Sequence, residues 1–377
     1  MKILHISMYS WAAGGLSKFV FDHAARQAAA GNSVEILTVI DEKDKIYDVP
    51  TGVKLNAFHP NFLSKILPFF SIKFYKFLKK NAADFDIIHI HGVFHFGSIM
   101  PFFFAKEKPK IVTIHGMLEK WALANGKLKK QLFSAIIQRK LLKNAKFLHV
   151  FHNEEWQDVS NYLGGNPKNL FMLPNGIDIA AFENLPKKGN FKAKLGLDET
   201  DKIVFFIGRL NIKKGLDILL PAFQKFAQEN TKTFLVLAGP DDGYEAETRK
   251  FIEKNKLEKR ILLAGMITGN EKLAAFADAD IFVLPSYSEG FSIAVLEAMA
   301  AQIPCLVSEK VGFADEIFKN EAGKIIDLNS ESIYEGIKTM IGDENYCKPL
   351  KINALTMLRQ QYDINKIAQK LLNEYQK

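Results

Sequence analysis

Residues 280–309 read DIFVLPSYSEGFSIAVLEAMAAQIPCLVSE. The run "DIFVLPS" has the length and apolar character of a buried strand. Polar, glycine-bearing "SYSEG" interrupts it, and from Phe291 the apolar residues recur at helical spacing. "IPCLVSE" then returns to a strand pattern. Strand, loop, helix and strand in that order form the unit of a parallel sheet, whose strands need crossover connections.

The unit repeats along the chain. "KILHIS", "SVEILTVI", "DIIHIHGV", "KIVTIHG", "KFLHVFH" and "LFMLPNG" read as strands, with helical periodicity between them, as over 16–30 and 127–142. A polar stretch, "ENLPKKGNFKAKLGLDETDK" (183–202), follows. A second series then runs through "KIVFFIGRL", "TFLVLAG", "RILLAG", "DIFVLPS", "IPCLVSE" and "GKIIDL". The fold class is therefore α/β, with two doubly wound domains over 1–180 and 190–357 and a boundary near 178–190. Ligands of such sheets sit beyond the carboxyl ends of the strands. Two domains facing each other predict a central cleft on which strand-end motifs converge.

Composition narrows the class. The 377 residues are 48% hydrophobic and 24% charged, an ordinary globular mix. Two cysteines, Cys305 and Cys347, are too few for a disulfide framework, and Cys305 reads as a buried thiol in "IPCLVS". No apolar run reaches the ~18 residues of a membrane span, and "MKILHISMYS" reads as a first strand rather than a targeting segment. These features predict a cytoplasmic protein. Charge is uneven: residues 1–177 carry 23 basic and 13 acidic side chains, residues 178–377 carry 27 and 29. Residues 62–150 hold 16 basic and 4 acidic side chains, so an anionic partner is expected for that half: nucleic acid, a membrane surface or a phosphorylated substrate.

Motifs gather at strand ends. Gly14-Gly15 opens the first helix, where backbone N–H groups can approach an anion, although a tight turn explains it equally well. "IGRLNIKKGLDIL" brings Arg209, Lys213 and Lys214 in front of a helix expected from Leu216, a pattern suited to a diphosphate or to a solvated basic loop. In "SEGFSIAVLEAMA" (288–300), Glu289 precedes a helix expected from Phe291, and Glu297 follows two turns on. Unpaired amides of Phe291, Ser292 and Ile293 would hold a phosphate, Glu289 one end of the ligand and Glu297 a ribose diol, as in a nucleotide sugar. The competing reading is an amphipathic core helix with two incidental acids.

Taken together, "GG" at 14–15, "IHGMLEKWAL" at 114–123, "LPNGID" at 173–178, "GRLNIKKG" at 208–215 and "SEGFSIAVLEAMA" resemble the retaining GT-B glycosyltransferases, specifically glycosyltransferase family 4. The resemblance covers the whole chain in order. It implies two Rossmann-like domains and a nucleotide-diphosphate sugar as donor, with no cofactor and no metal. It implies that Arg209 and Lys214 bind the donor diphosphate, Glu297 the ribose and Glu289 the sugar hydroxyls. The amides of Phe291, Ser292 and Ile293 would meet the diphosphate or sugar, His115 would lie beside the reacting sugar, and Gly14 and Gly15 would close over the phosphates. The last helix, about 358–377, would pack back on the first domain. "HGMLEKWAL" resembles bacterial members that build surface polysaccharides or glycolipids.

Other readings stay in view. A GT-B sugar-nucleotide epimerase would bind the same ligand without transfer; a basic nucleic-acid binder would use the first half, although no aromatic platform accompanies its charges, so no nucleic acid is expected. Asp278-x-Asp280 and Asp84-x-Asp86 match a metal-binding pattern but lie at the amino ends of strands, which favours a helix-end and strand-entry role. His89 and His91 share one strand face, but no Cys or acidic partner for zinc stands nearby; His91 or His95 is expected to line the acceptor side. Finally, "FLSKILPFFSIKFYKFLKK" (62–80) places Lys73, Lys76, Lys79 and Lys80 on one helical face, with Phe69 and Ile72 among them. With "KLKK" (127–130) and "RKLLK" (139–143), it predicts peripheral attachment to an anionic membrane, the inner face of the cytoplasmic membrane, where a lipid-linked saccharide acceptor would be reached; the competing reading is an ordinary amphipathic helix with a solvated lysine face.

Overall fold

The structure, a computed structural model, describes residues 1–7, 15–40, 49–65, 70–119, 122–123 and 137–377. Gly14, Phe69, "KLKK" (127–130), residues 127–136 of the helix expected over 127–142 and part of "HGMLEKWAL" lie outside the described residues. The chain divides into two compact units, Met1–Gly176 with Ile364–Lys377, and Ile177–Asp363.

The first unit is a seven-stranded sheet. Its strands are β1 (Lys2–Ser7), β2 (Ser33–Val39), β3 (Val53–Phe58), β4 (Ile87–His91), β5 (Lys110–Thr113), β6 (Phe147–Val150) and β7 (Leu170–Met172), in the order β3-β2-β1-β4-β5-β6-β7. Every pairing is parallel. β1 and β4 are buried along almost their whole length, as expected of strands covered on both faces. The helix Ile364–Gln376 packs against the helix Gly15–Ala29 in this unit, with Ile367, Leu371 and Tyr375 buried.

The second unit has six parallel strands: β8 (Lys202–Ile207), β9 (Thr233–Ala238), β10 (Ile261–Gly265), β11 (Ile281–Leu284), β12 (Cys305–Ser308) and β13 (Lys324–Ile326), in the order β10-β9-β8-β11-β12-β13. Strand order reverses between β8 and β11, the switch point at which open parallel sheets bind ligands.

Two elements differ from the sequence reading. The edge strand β3 went unseen; its residues VKLNAF mix polar and apolar side chains and none is fully buried, so periodicity carries little signal there. The polar stretch 183–202, expected at the boundary, belongs to the second unit. Its short helix Asn190–Lys194 buries Phe191, and the wholly buried Asp278 accepts from the N–H groups of Phe191 and Lys192, both at 2.8 Å. One carboxylate and one phenyl ring anchor a segment whose composition looks like a linker.

Candidate active site

Loops after β8 and β11 meet at the switch point of the second sheet. The Tyr287 N–H and the Ser286 hydroxyl both donate to the Lys213 carbonyl, at 2.8 and 2.9 Å. Gly215 sits at φ 71°, and a Cβ there would stand 1.9 Å from the Pro285 carbonyl oxygen, so only glycine lets the two loops approach so closely. Glu289 is held by its backbone: its N–H donates to Lys310 O at 3.0 Å, and its carbonyl accepts from Gly312 N at 2.8 Å.

On this frame the side chains form three ion pairs. Lys214 pairs with Glu289, each side chain mostly buried. Arg209, on the exposed rim, donates to Asp242 at 2.8 Å, and Asn211 donates to the same oxygen at 2.7 Å. Glu297, only 5% exposed, accepts from Lys272 at 2.8 Å. The helix begins later than the spacing predicts, at Ile293, with Ser292 as its N-cap and no side-chain cap bond. Of the three amides expected to face a phosphate, only that of Ile293 lies in the first turn; Ala294 and Val295 complete it, because a helix leaves its first N–H groups without partners. Phe291 precedes the helix and stacks on Phe313 at 4.8 Å, which fixes the chain as it enters. Ion-paired cations and the first N–H groups of a helix are both groups whose chemistry suits a phosphate oxygen, which can take over a cation that a carboxylate holds.

In the first unit, Gly15 begins the helix Gly15–Ala29, while Gly14 lies outside the described residues. His115 follows β5 in the left-handed region at φ 57°. The next residue is clamped by Glu155, whose carboxylate accepts from Gly116 N at 2.6 Å and from Phe151 N at 2.7 Å. Burial pushes the Glu155 carboxyl up to about 7, against the pull of those two bonds. His91 and His95 do not line a surface as the sequence reading expected. His91 is fully buried, and His95 caps the helix Phe96–Phe104, its Nδ1 accepting from Ser98 N at 3.0 Å while Nε2 bonds His91 O at 3.2 Å. The third histidine near His89 and His91 comes from β1: ring nitrogens of His5, His89 and His91 lie within 4.8 Å of one another. The Asp-x-Asp residues hold backbone, Asp280 accepting from Ile203 N at 2.8 Å and Asp86 from Lys2 N at 2.7 Å.

Two family models divide the chain between them. The model described as Glycosyl transferases group 1 matches residues 187–357, and that described as Glycosyltransferase Family 4 matches residues 13–181. This chain belongs to the family 4 glycosyltransferases. A glycosyltransferase of Methanocaldococcus jannaschii is 27% identical, over 99% of this chain and 98% of its own length. The UDP-Gal:alpha-D-GlcNAc-diphosphoundecaprenol alpha-1,3-galactosyltransferase of Escherichia coli is 26% identical, over 81% of this chain and 78% of its own. In fold, sucrose-phosphate synthase from Thermosynechococcus elongatus superposes with a TM-score of 0.82 at 20% identity, covering 100% of this chain and 98% of that one. The architecture is GT-B.

Several residues that partner the sequence-predicted ones within each unit escaped the sequence reading. Lys272 stands 25 positions before Glu297 on another helix, and nothing local marks it. Asp242 was findable, since "GPDDGYE" follows β9 and strand ends are where the site residues gather. Glu155 and His5 gave no local sign, because their partners come from other strands and loops.

Proposed function

We propose that this glycosyltransferase is retaining and metal-independent. In this reading it moves a hexose or hexosamine from a nucleotide-diphosphate sugar to a hydroxyl of a lipid-linked saccharide. The observation that carries this reading is the buried Lys214–Glu289 pair at the switch point, one turn before an uncapped helix start. When the bond from the sugar C1 to the phosphate oxygen breaks, that oxygen keeps the electron pair. Lys214, Arg209 and the amides of the helix stabilise the added charge, a role a divalent cation fills in other transferases. The acceptor oxygen bonds to C1 on the face the phosphate leaves, and its proton passes to the departing phosphate oxygen. Glu289 and His115 are assigned to the donor sugar and Glu297 to the ribose. The lipid-linked acceptor is supported by the diphosphoundecaprenol acceptor in the name of the Escherichia coli relative, and the setting is polysaccharide or glycolipid synthesis at the inner face of the cytoplasmic membrane.

The test is transfer from an α-configured nucleotide sugar by EDTA-treated enzyme, with the product anomer read by NMR. An α-linked product at an undiminished rate is expected. A β-linked product, or activity lost on chelation and restored by Mn²⁺, overturns the reading.

A further inference from the structure

A continuous hydrogen-bonded chain runs through the core of the first unit and ends at His115. The His149 Nε2 lies 2.8 Å from the Leu173 carbonyl, and its Nδ1 lies 2.9 Å from the Thr113 hydroxyl. Thr113 meets His89 Nε2 at 2.6 Å, and His89 Nδ1 meets the Tyr375 hydroxyl. Tyr375 meets Gln27 Nε2 at 3.3 Å, and Gln27 Oε1 meets His5 Nε2 at 2.7 Å. His5 Nδ1 then meets His91 Nε2 at 2.9 Å, and His91 Nδ1 meets His115 Nε2 at 3.2 Å. Every side chain before His115 is at most 2% exposed.

The direction of every proton follows from one end. A carbonyl only accepts, so His149 carries its proton on Nε2 and its Nδ1 must accept from Thr113. Thr113 then accepts from His89 Nε2, so His89 Nδ1 accepts from Tyr375. Tyr375 accepts from the Gln27 amide nitrogen, and the Gln27 oxygen accepts from His5 Nε2. That step is an independent check: the Gln27 side chain does present its nitrogen to Tyr375 and its oxygen to His5. His5 Nδ1 accepts from His91 Nε2, and His91 Nδ1 accepts from His115 Nε2. The argument requires neutral rings. Burial lowers every one of these imidazoles, His5 and His149 to about 4 and His115 to about 3.

We propose that this relay positions His115, holding it as the imidazole protonated at Nε2 and keeping Nδ1 as a lone-pair acceptor. Among the described residues Nδ1 makes no hydrogen bond, so it is available to a ligand hydroxyl. Thr113, Gln27 and Tyr375 are positioning residues, and Tyr375 brings the last helix into the relay. The assignment stands on the structure alone; its use, accepting from a sugar hydroxyl, rests on the proposed function. The relay also occupies all six ring nitrogens of His5, His89 and His91, and a metal there would have to break the His5–His91 bond.

The experiment is NMR of the full chain with ring-¹⁵N histidine at pH 7, the His115 signals being assigned by their loss in His115→Gln. A single Nε2-protonated form is expected at His115. Tyr375→Phe keeps the ring but frees the Gln27 amide to turn, so both tautomers should appear; Thr113→Ser should preserve the single form. A proton on Nδ1 of His115 in the unaltered protein overturns the relay, as does an unchanged single form in Tyr375→Phe. One equivalent of zinc that shifts His5, His89 and His91 together also overturns it. If Tyr375→Phe does not fold, the unaltered protein still decides. A chain without transferase activity that keeps the Nε2 form fails the proposed function and leaves the relay standing.

Discussion

At the scale of the residue, the two acids of the E-x7-E stretch face different partners and should fail differently. Glu289 is tied to Lys214 and Glu297 to Lys272. In the proposed function Glu297 accepts from the ribose, so Glu297→Ala should chiefly weaken binding of free nucleotide, and it leaves Lys272 without its carboxylate. Glu289→Gln should chiefly lower kcat, because the proposed function gives Glu289 the orientation of the sugar. Lys214→Ala should lower turnover by roughly 10²-fold or more, the size of effect seen when one preset group is removed from developing charge. Calorimetry with the nucleotide separates the two glutamates from each other. Nucleotide affinity lost in Glu289→Gln and kept in Glu297→Ala would reverse the assignment.

At the scale of the element, the helix Ile72–Asn81 has the face pattern its sequence predicts. Phe74 and Leu78 are fully buried, Lys73, Lys76, Lys79 and Lys80 are exposed, and Ile72 is 42% exposed. Among the described residues no helix is long and apolar enough to cross a membrane. Each lysine near an anionic surface contributes about 1 kcal/mol, so reversing all four should cut vesicle affinity by about 10³-fold or more. Co-sedimentation with anionic vesicles at low salt should be clear for the unaltered protein and absent for the quadruple Lys→Glu variant. Negligible binding of the unaltered protein to anionic and neutral vesicles alike would end the membrane reading.

At the scale of the whole molecule, the buried histidines make stability depend on pH. Eight of the nine are lowered from their ordinary value, chiefly by burial. Between about 4, where folded His5, His95 and His149 titrate, and the ordinary 6.5, the unfolded chain binds protons that the folded chain refuses. Stability therefore falls as pH drops through that window, by up to about 1.4 kcal/mol per pH unit for each ring. Glu155 has the opposite sign: raised from 4.5 to about 7, its contribution is fully present below 4.5 and is lost as pH rises through 7. One carboxyl cannot offset several imidazoles. The Tm should drop steadily from pH 7 to pH 5; a Tm that holds or rises over that range would show that the rings are not buried as neutral groups.

The sequence by itself determined the α/β class, the two parallel sheets and the strand ends at which Arg209, Lys214 and Glu289 stand, with Glu297 on the helix that follows. Those follow from apolar periodicity and from glycine-bearing loops, both local properties of the chain. Tertiary structure alone decided their partners. Lys272, Asp242 and Glu155 reach their places from other elements, the helix after Glu289 starts two residues late because Phe291 is taken up by Phe313, and 183–202 joins the second unit through Asp278. The histidines show the division most plainly. Alternation in "HIHGVFH" puts His89 and His91 on one face, but the chain that links them to His5, His149 and Tyr375 crosses four strands and two helices. Hydrogen-bond direction is a property of the assembled core, and it passes to His115 only once those elements are packed.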